Sequence, residues 1–216
     1  MTRNIYLASA SPRRKELLEL TGIVFTVRPL EDVDEAELLK GYDGDVAGRA
    51  EHLAREKAKI ALGLNVPGVF ITADTLVIAD DGQVLGKPRD VAEAEMFLDK
   101  LAGNWHTVAT GVAVAERQAD GRDRIDSVLE TTRVKFAPMT EREIGNYIAT
   151  GEPFDKAGGY GIQGHASVFI ERIEGDYFNV VGFPLHAFWN MWKKFSGEGD
   201  YTGNDDIHHR DEKQKR

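Results

Sequence analysis

The chain contains no cysteine, which excludes disulfides, thiolate catalysis and cysteine-ligated zinc and is compatible with a reducing compartment. It also lacks a long apolar run. The N-terminal stretch Ile5 to Ala10 is short, and nothing in the sequence approaches membrane-spanning length. A soluble cytoplasmic protein with no membrane partner is the simplest expectation. A cationic surplus is missing as well: 27 Lys and Arg against 36 Asp and Glu give a net charge of -9, which argues against a general nucleic-acid binder. Any anionic ligand must therefore be held by a local cluster of cations. No G-x-x-x-x-G-K-[ST] occurs, so a P-loop is excluded. What is present is enough chain, 216 residues at 42% hydrophobic composition, to bury one sizeable core in one domain or two closely joined lobes.

The most informative stretch is Leu7-Ala8-Ser9-Ala10-Ser11-Pro12-Arg13-Arg14-Lys15-Glu16-Leu17-Leu18, a strand end leading through two serines into a helix. Ser11 reads as N-cap and Pro12 as the first helical residue. Arg13, Arg14 and Lys15 then fall in the first turn, where the helix dipole disfavours cations by about 0.3–1 kcal/mol each. Two explanations stand: a phosphate site, in which free N–H groups, Ser9, Ser11 and two guanidiniums converge on one anion, or a solvated basic helix start.

Periodicity predicts a strand over Ile5 to Ala8, a helix from Pro12 to about Thr21 and a second helix from Val46 to Leu64. The second buries Ala50, Leu53, Ala54, Ala58 and Ala61, and Lys57 interrupts the same side, either snorkelling to water or aimed into a cleft. Val69-Phe70-Ile71-Thr72 reads as a buried strand running into Ala73-Asp74-Thr75. A carboxylate there must be paired, protonated, metal-bound or at an opening, since burying it alone costs several kcal/mol; a structural Asp in a turn is the other account. Asp80-Asp81-Gly82 predicts a hairpin turn, and Asp90 with Glu93 a capping-box-like start to a helix ending at Leu101. Strands are expected over Thr107 to Ala115 and Val128 to Phe136, with a polar, mobile connection from Glu116 to Asp126. A helix capped by Thr140 and Glu143 follows, then strands around Val168 to Ile173 and Tyr177 to Val181, and a last helix from Pro184. This order predicts an α/β fold with a mixed sheet. Residues 1–196 form the folded unit, and the polar segment 197–216 is expected to be a disordered tail in which His208-His209 is solvated.

Gly159-Tyr160-Gly161-Ile162-Gln163-Gly164 matches G-x-G-x-x-G literally, but no strand precedes it and no helix is expected after it, so it is not a dinucleotide fingerprint. It remains a glycine-dense loop in which backbone can approach a ligand closely and Gln163 can address a base edge, or else a tight structural loop.

The basic helix start, Ala73-Asp74-Thr75, Gly86-Lys87-Pro88, the segment from Asp155-Lys156-Ala157 through Gly164, and Val181-Gly182-Phe183-Pro184 together resemble the Maf family of nucleoside triphosphate pyrophosphatases, in the family's order and across residues 5 to about 195. Ser-Pro-Arg, Ala-Asp-Thr and Gly-Ile-Gln-Gly resemble the branch acting on dTTP and UTP rather than 7-methyl-GTP. Phe183 stands where the family also tolerates Leu. The resemblance implies an elongated sheet flanked by helices, two lobes with a cleft, an ITPase-like architecture and cleavage between the α and β phosphates. In that scheme Arg13 and Arg14 hold phosphate oxygens, Lys57 and Lys87 add charge, and Ser9 and Ser11 contribute hydroxyl or backbone contacts. Asp74 is general base or metal ligand, and Glu35 helps hold a divalent cation, Mg or Mn. Arg13, Thr75 and Gln163 match the positions that set base preference. The resemblance further implies a role in keeping non-standard nucleotides out of nucleic acid, a link to division arrest and a homodimer. A non-catalytic nucleotide-binding regulator of septum formation and a phosphate-ester hydrolase are the alternatives.

Overall fold

The computed structural model describes residues 4–64, 66–118 and 120–197. Its strands are β1 (Ile5–Leu7), β2 (Thr26–Val27), β3 (Val69–Ala79), β4 (Val84–Leu85), β5 (Trp105–Arg117), β6 (Asp123–Phe136) and β7 (Ile170–Glu174). They form one mixed sheet in the order β2-β1-β3-β5-β6-β7, with β4 on the free length of β3. β1 runs parallel to both β2 and β3, while the remaining pairings are antiparallel. The helices are α1 (Pro12–Glu19), α2 (Glu35–Leu38), α3 (Gly48–Leu62), α4 (Val91–Leu101), α5 (Glu141–Ile148), α6 (Tyr177–Val181) and α7 (Leu185–Ser196).

β3 is buried along nearly its whole length because it runs through more than one core. Period-2 alternation sends Val69, Ile71 and Ala73 toward Leu17, Leu18, Phe183, Phe188 and Trp192, the side covered by α1 and α7. Phe70 points the other way, onto the alanine stripe Ala54, Ala58 and Ala61 of α3. Beyond Leu76 the strand enters a separate cluster, where Val77 and Ala79 pack with Phe97, Leu98, Val108, Phe136 and Ile144 under α4 and α5. Asp74, Thr75 and Leu76 occupy the stretch of β3 between the clusters under α1, α7 and α3 and the cluster under α4 and α5.

Several local expectations change. Glu116 to Asp126 is not a loose connection: β5 and β6 continue through it, Arg117 bonds Asp123 at 2.8 Å, and only a short turn between them is left. Tyr177 to Val181 is a helix rather than a strand. Asp176 caps it by accepting from the Phe178 N–H at 2.8 Å, and Gly182, at φ +116°, ends it; short apolar runs do not separate helix from strand by period alone. Val168 lies in a 3-10 turn, His165–Phe169, ahead of β7. Asp90 caps α4 as predicted, but the Glu93 carboxylate accepts from the backbone N–H of Arg89 at 2.7 Å and from its guanidinium, one residue before the position a capping box uses. The Thr140–Glu143 box is complete. Of the expected tail, all beyond Gly197, including His208-His209, lies outside the described residues.

Candidate active site

The site begins with a missing side chain. Gly111 of β5 pairs directly with Asp74 of β3. A Cβ at position 111 would collide with the Glu51 Cα and the Ala50 carbonyl, so α3 lies on the bare backbone of the sheet at this point. The Thr72 hydroxyl fastens the same approach by donating to the Ala54 carbonyl at 2.7 Å. One and a half to two turns further along α3, Lys57 therefore reaches the sheet. Its Nζ lies 2.5 Å from Asp74 Oδ1 and 2.6 Å from Glu35 Oε1. Glu35 is delivered by the start of α2, where Asp34 accepts from the Ala36 and Glu37 amides.

Asp74 and Lys57 are largely enclosed, with side chains 8% and 13% exposed, whereas Glu35 is 53% exposed. Burial raises the Asp74 pKa above the ordinary carboxylate value; Lys57 and Arg14 pull it down and Glu35 adds to the rise. A raised carboxylate is a better proton acceptor than an exposed one. Of the two accounts of Lys57, the structure bears out the lysine aimed into a cleft.

The three cations of the first turn of α1 have three separate fates. Lys15 pairs with Glu19 one turn on, at 3.0 Å. Arg13 crosses the cleft to Asp155 at 3.2 Å. Arg14 is half-buried, with Nε donating to the Gly182 carbonyl at 3.0 Å, Nη1 to the Ala73 carbonyl at 2.8 Å and Nη2 to Thr75 Oγ1 at 3.0 Å; Nη1 also reaches Ser9 Oγ at 3.5 Å. Most of its donors are thus spent on protein, and burial lowers its pKa while Asp74 opposes the change. Thr75 is similarly committed. Arg14 can only donate and the Asn179 carbonyl can only accept, so the hydrogen bonds run one way from Arg14 through Thr75 to Thr110 and on to Asn179. The geometry makes Arg14 and Thr75 parts of the wall and leaves Arg13 better placed to meet a ligand. Ser11 caps α1 by accepting from the Arg14 N–H, and Ser9 Oγ accepts from the Ser11 N–H.

Ser9, Ser11, Arg13, Arg14, Glu35, Lys57, Asp74, Thr75, Lys87 and Gln163, the candidate substrate and metal residues, all line one cleft of about 780 Å3, within the range of small-molecule sites. Lys87, on the connection after β4, is exposed and has no ion pair among the described residues. Gln163 is likewise exposed, on a glycine loop that approaches the sheet where Gly158 rests on Val77. The loop is preceded by 3-10 turns rather than by a strand, as expected for a chain without a dinucleotide fold. Sequence reasoning assigned no role to Glu152, Asp155, Lys156 or Gly111. Asp155 and Lys156, adjacent and oppositely charged just before the glycines, carried a usable signal; Gly111, inside an apolar run, carried none.

The chain is 45% identical over 202 residues to the dTTP/UTP pyrophosphatase of Symbiobacterium thermophilum, covering 93% of this chain and 98% of the relative. It is 46% identical over 191 residues to the dTTP/UTP pyrophosphatase of Carboxydothermus hydrogenoformans, covering 88% and 98%. Among solved structures, a HAM1 protein from Coxiella burnetii overlaps 64% of this chain and 75% of its own, with 16% identity and a TM-score of 0.41. The family model described as Maf-like protein matches residues 4–195, from ahead of β1 into the last turn of α7, so every wall of the cleft falls inside the match and the chain belongs to the Maf-like family.

Proposed function

We propose that this protein hydrolyses dTTP and UTP between the α and β phosphates, releasing the nucleoside monophosphate and pyrophosphate, the activity its relatives are named for. The observation that carries the reading is the Glu35–Lys57–Asp74 chain, an enclosed carboxylate of raised basicity held by a lysine at the floor of a cation-bearing cleft. A triphosphate brings about four negative charges, which fixed cations must offset together with the charge that develops during transfer. Arg13, released from Asp155, and the free Lys87 supply such charge. Asp74 takes the proton of a water attacking the α phosphorus, the bridging oxygen to the β phosphorus leaves with its electron pair, and Lys57 keeps Asp74 ionised and aimed between turnovers. Arg14 acts in this reading as a strut that fixes Ala73, Thr75 and Gly182 around the base, and Gln163 faces the nucleobase.

Asp74 and Glu35 already converge on one cationic point, Lys57 Nζ, and are hard oxygen donors of the kind Mg or Mn takes. Among the described residues no third His, Asp or Glu joins them, so phosphate oxygens and water would complete the shell. A bound divalent cation would add charge neutralisation and Lewis acidity at the phosphates. The same reading places the enzyme on the cytoplasmic nucleotide pool, removing non-standard pyrimidine triphosphates, and as a homodimer, which sedimentation would test.

Products separated by liquid chromatography, with and without chelator, test the reaction: UTP should give UMP and pyrophosphate, and inorganic phosphate as the product would refute it. Asp74→Asn should lower turnover by about a hundredfold or more, the scale of a lost general base, in a protein that still folds cooperatively. Activity near that of the wild type would remove Asp74 from the mechanism.

A further inference from the structure

The 3-10 turn Glu152–Asp155 contains a group that the hydrolysis does not use. The Glu152 carboxylate accepts from the Tyr147 hydroxyl at 2.9 Å, the His165 N–H at 2.7 Å and the Ala166 N–H at 3.4 Å. Among the described residues it forms no salt bridge; its partners are one phenol and two backbone amides. These donors, the His165 amide foremost, outweigh burial and hold its pKa below the ordinary value. The Glu152 carbonyl also accepts from Lys156 Nζ at 3.0 Å.

Two glycines show how closely the loop is gripped. A Cβ at Gly164 would collide with the Glu152 carboxylate, and one at Gly161 would come within 2.7 Å of Lys156 Cε. Between them the loop closes on itself, with the Gly164 N–H donating to the Gly161 carbonyl at 3.1 Å. Gln163 is carried on this closed turn, pressed at one end by Lys156 and anchored at the other by Glu152. Its side chain has no hydrogen bond to protein among the described residues, so its direction depends on where the turn is held.

We infer that Glu152 is a positioning residue for Gln163, and that it sets discrimination between nucleobases rather than the rate of the chemical step. The inference rests on the reading of Gln163 as the residue that faces the base. The full chain and its Glu152→Gln, Tyr147→Phe and Gln163→Ala variants would be compared by steady-state kinetics on UTP and GTP and by amide hydrogen exchange. A carboxamide at 152 keeps one acceptor and turns a donor toward the amides. Exchange at His165 and Ala166 should then quicken about tenfold or more, as expected for lost hydrogen bonds to a charged acceptor. KM for UTP should rise about tenfold and the UTP-to-GTP preference fall with it, while kcat stays within about threefold, a pattern of lost binding without lost chemistry. Tyr147→Phe leaves both amide bonds in place and should give the same shift at smaller amplitude, which keeps the test available if Glu152→Gln folds poorly. Unchanged exchange and preference in Glu152→Gln, or a fall in kcat at constant KM, would overturn the inference. If Gln163→Ala shifts the preference and neither Glu152→Gln nor Tyr147→Phe does, the inference fails alone; if Gln163→Ala leaves the preference unchanged, the base-facing role fails and takes it along.

Discussion

Replacing Lys57 by methionine keeps the length of the side chain and removes its charge. Asp74, 8% exposed, would lose its close partner and be left buried with Arg14 as its remaining cationic neighbour. Breaking a buried ion pair from one side typically costs about 3–5 kcal/mol, because the surviving charge is left uncompensated. The Glu35 arm adds little, since a half-exposed carboxylate is readily solvated. For a domain of this size each kcal/mol moves the melting point by about 2–4 °C, so Lys57→Met should melt about 6–20 °C lower near neutral pH. The loss should depend on pH. With Lys57 gone, burial and Glu35 hold the Asp74 pKa still further above its unfolded value, so the variant is most stable below the unfolded value and loses stability as pH rises through the folded one. Melting measured by circular dichroism in chelator, across acidic and neutral buffers, should therefore show the gap to the wild type narrowing on acidification. Adding Asp74→Asn should recover most of the neutral-pH loss, because the amide needs no counter-charge. A single variant melting within about 2 °C of the wild type at neutral pH, or a double variant no better than the single, would refute the account of the pair.

Gly111→Ala should cost about 1–3 kcal/mol or more, since its Cβ meets helix backbone that can yield only by moving α3. It should also depress kcat for UTP, because Lys57 moves with the helix; thermal melting and steady-state kinetics check both, and an unperturbed variant would sink the close-approach argument. His106 is buried with Nε2 at 2.7 Å from the Tyr160 hydroxyl, its Nδ1 has no hydrogen-bond partner among the described residues, and burial lowers its pKa to about 3. The neutral ring stabilises the fold above the unfolded value near 6.5, and that contribution is lost as pH falls below it, at up to about 1.4 kcal/mol per unit. In urea denaturation His106→Phe should flatten this acid limb, whatever its absolute stability, and a slope equal to that of the wild type would discount His106.

The sequence made the elements around the cleft legible because their signals are local. Ser11 and Pro12 start α1, Thr140 and Glu143 start α5, and the alanine stripe of α3 declares its buried face; each depends on residues within a turn or two. Asp74 was legible for a related reason, since a carboxylate inside an apolar run demands a partner wherever the strand goes. The identity of that partner was not, because the 17 residues separating Lys57 from Asp74 are bridged by a helix-on-sheet contact that depends on Gly111 in a third element. Arg14 was only half legible. Read beside Arg13 it looks like a second phosphate ligand, and only the distant carbonyls of Ala73 and Gly182 reveal that most of its donors are held by protein at the edge of the cleft. The helix α6 reads as a strand in sequence because its five residues, four of them apolar or aromatic, carry too little period to decide.

The same arginine bears on how the molecule comes into being. Arg14 belongs to the first helix made, yet the carbonyl that receives its Nε lies 168 residues downstream, at Gly182. During synthesis its partners on β3, Ala73 and Thr75, follow 59 and 61 residues later, but the Gly182 carbonyl arrives only when nearly all of the folded chain has been made. Contacts this distant in sequence form late, after the entropy of closing the intervening chain has been met. The Gly182 edge of the cleft therefore joins last: a nascent fragment can hold Glu35, Lys57 and Asp74 and still lack the wall that Arg14 ties across to Gly182.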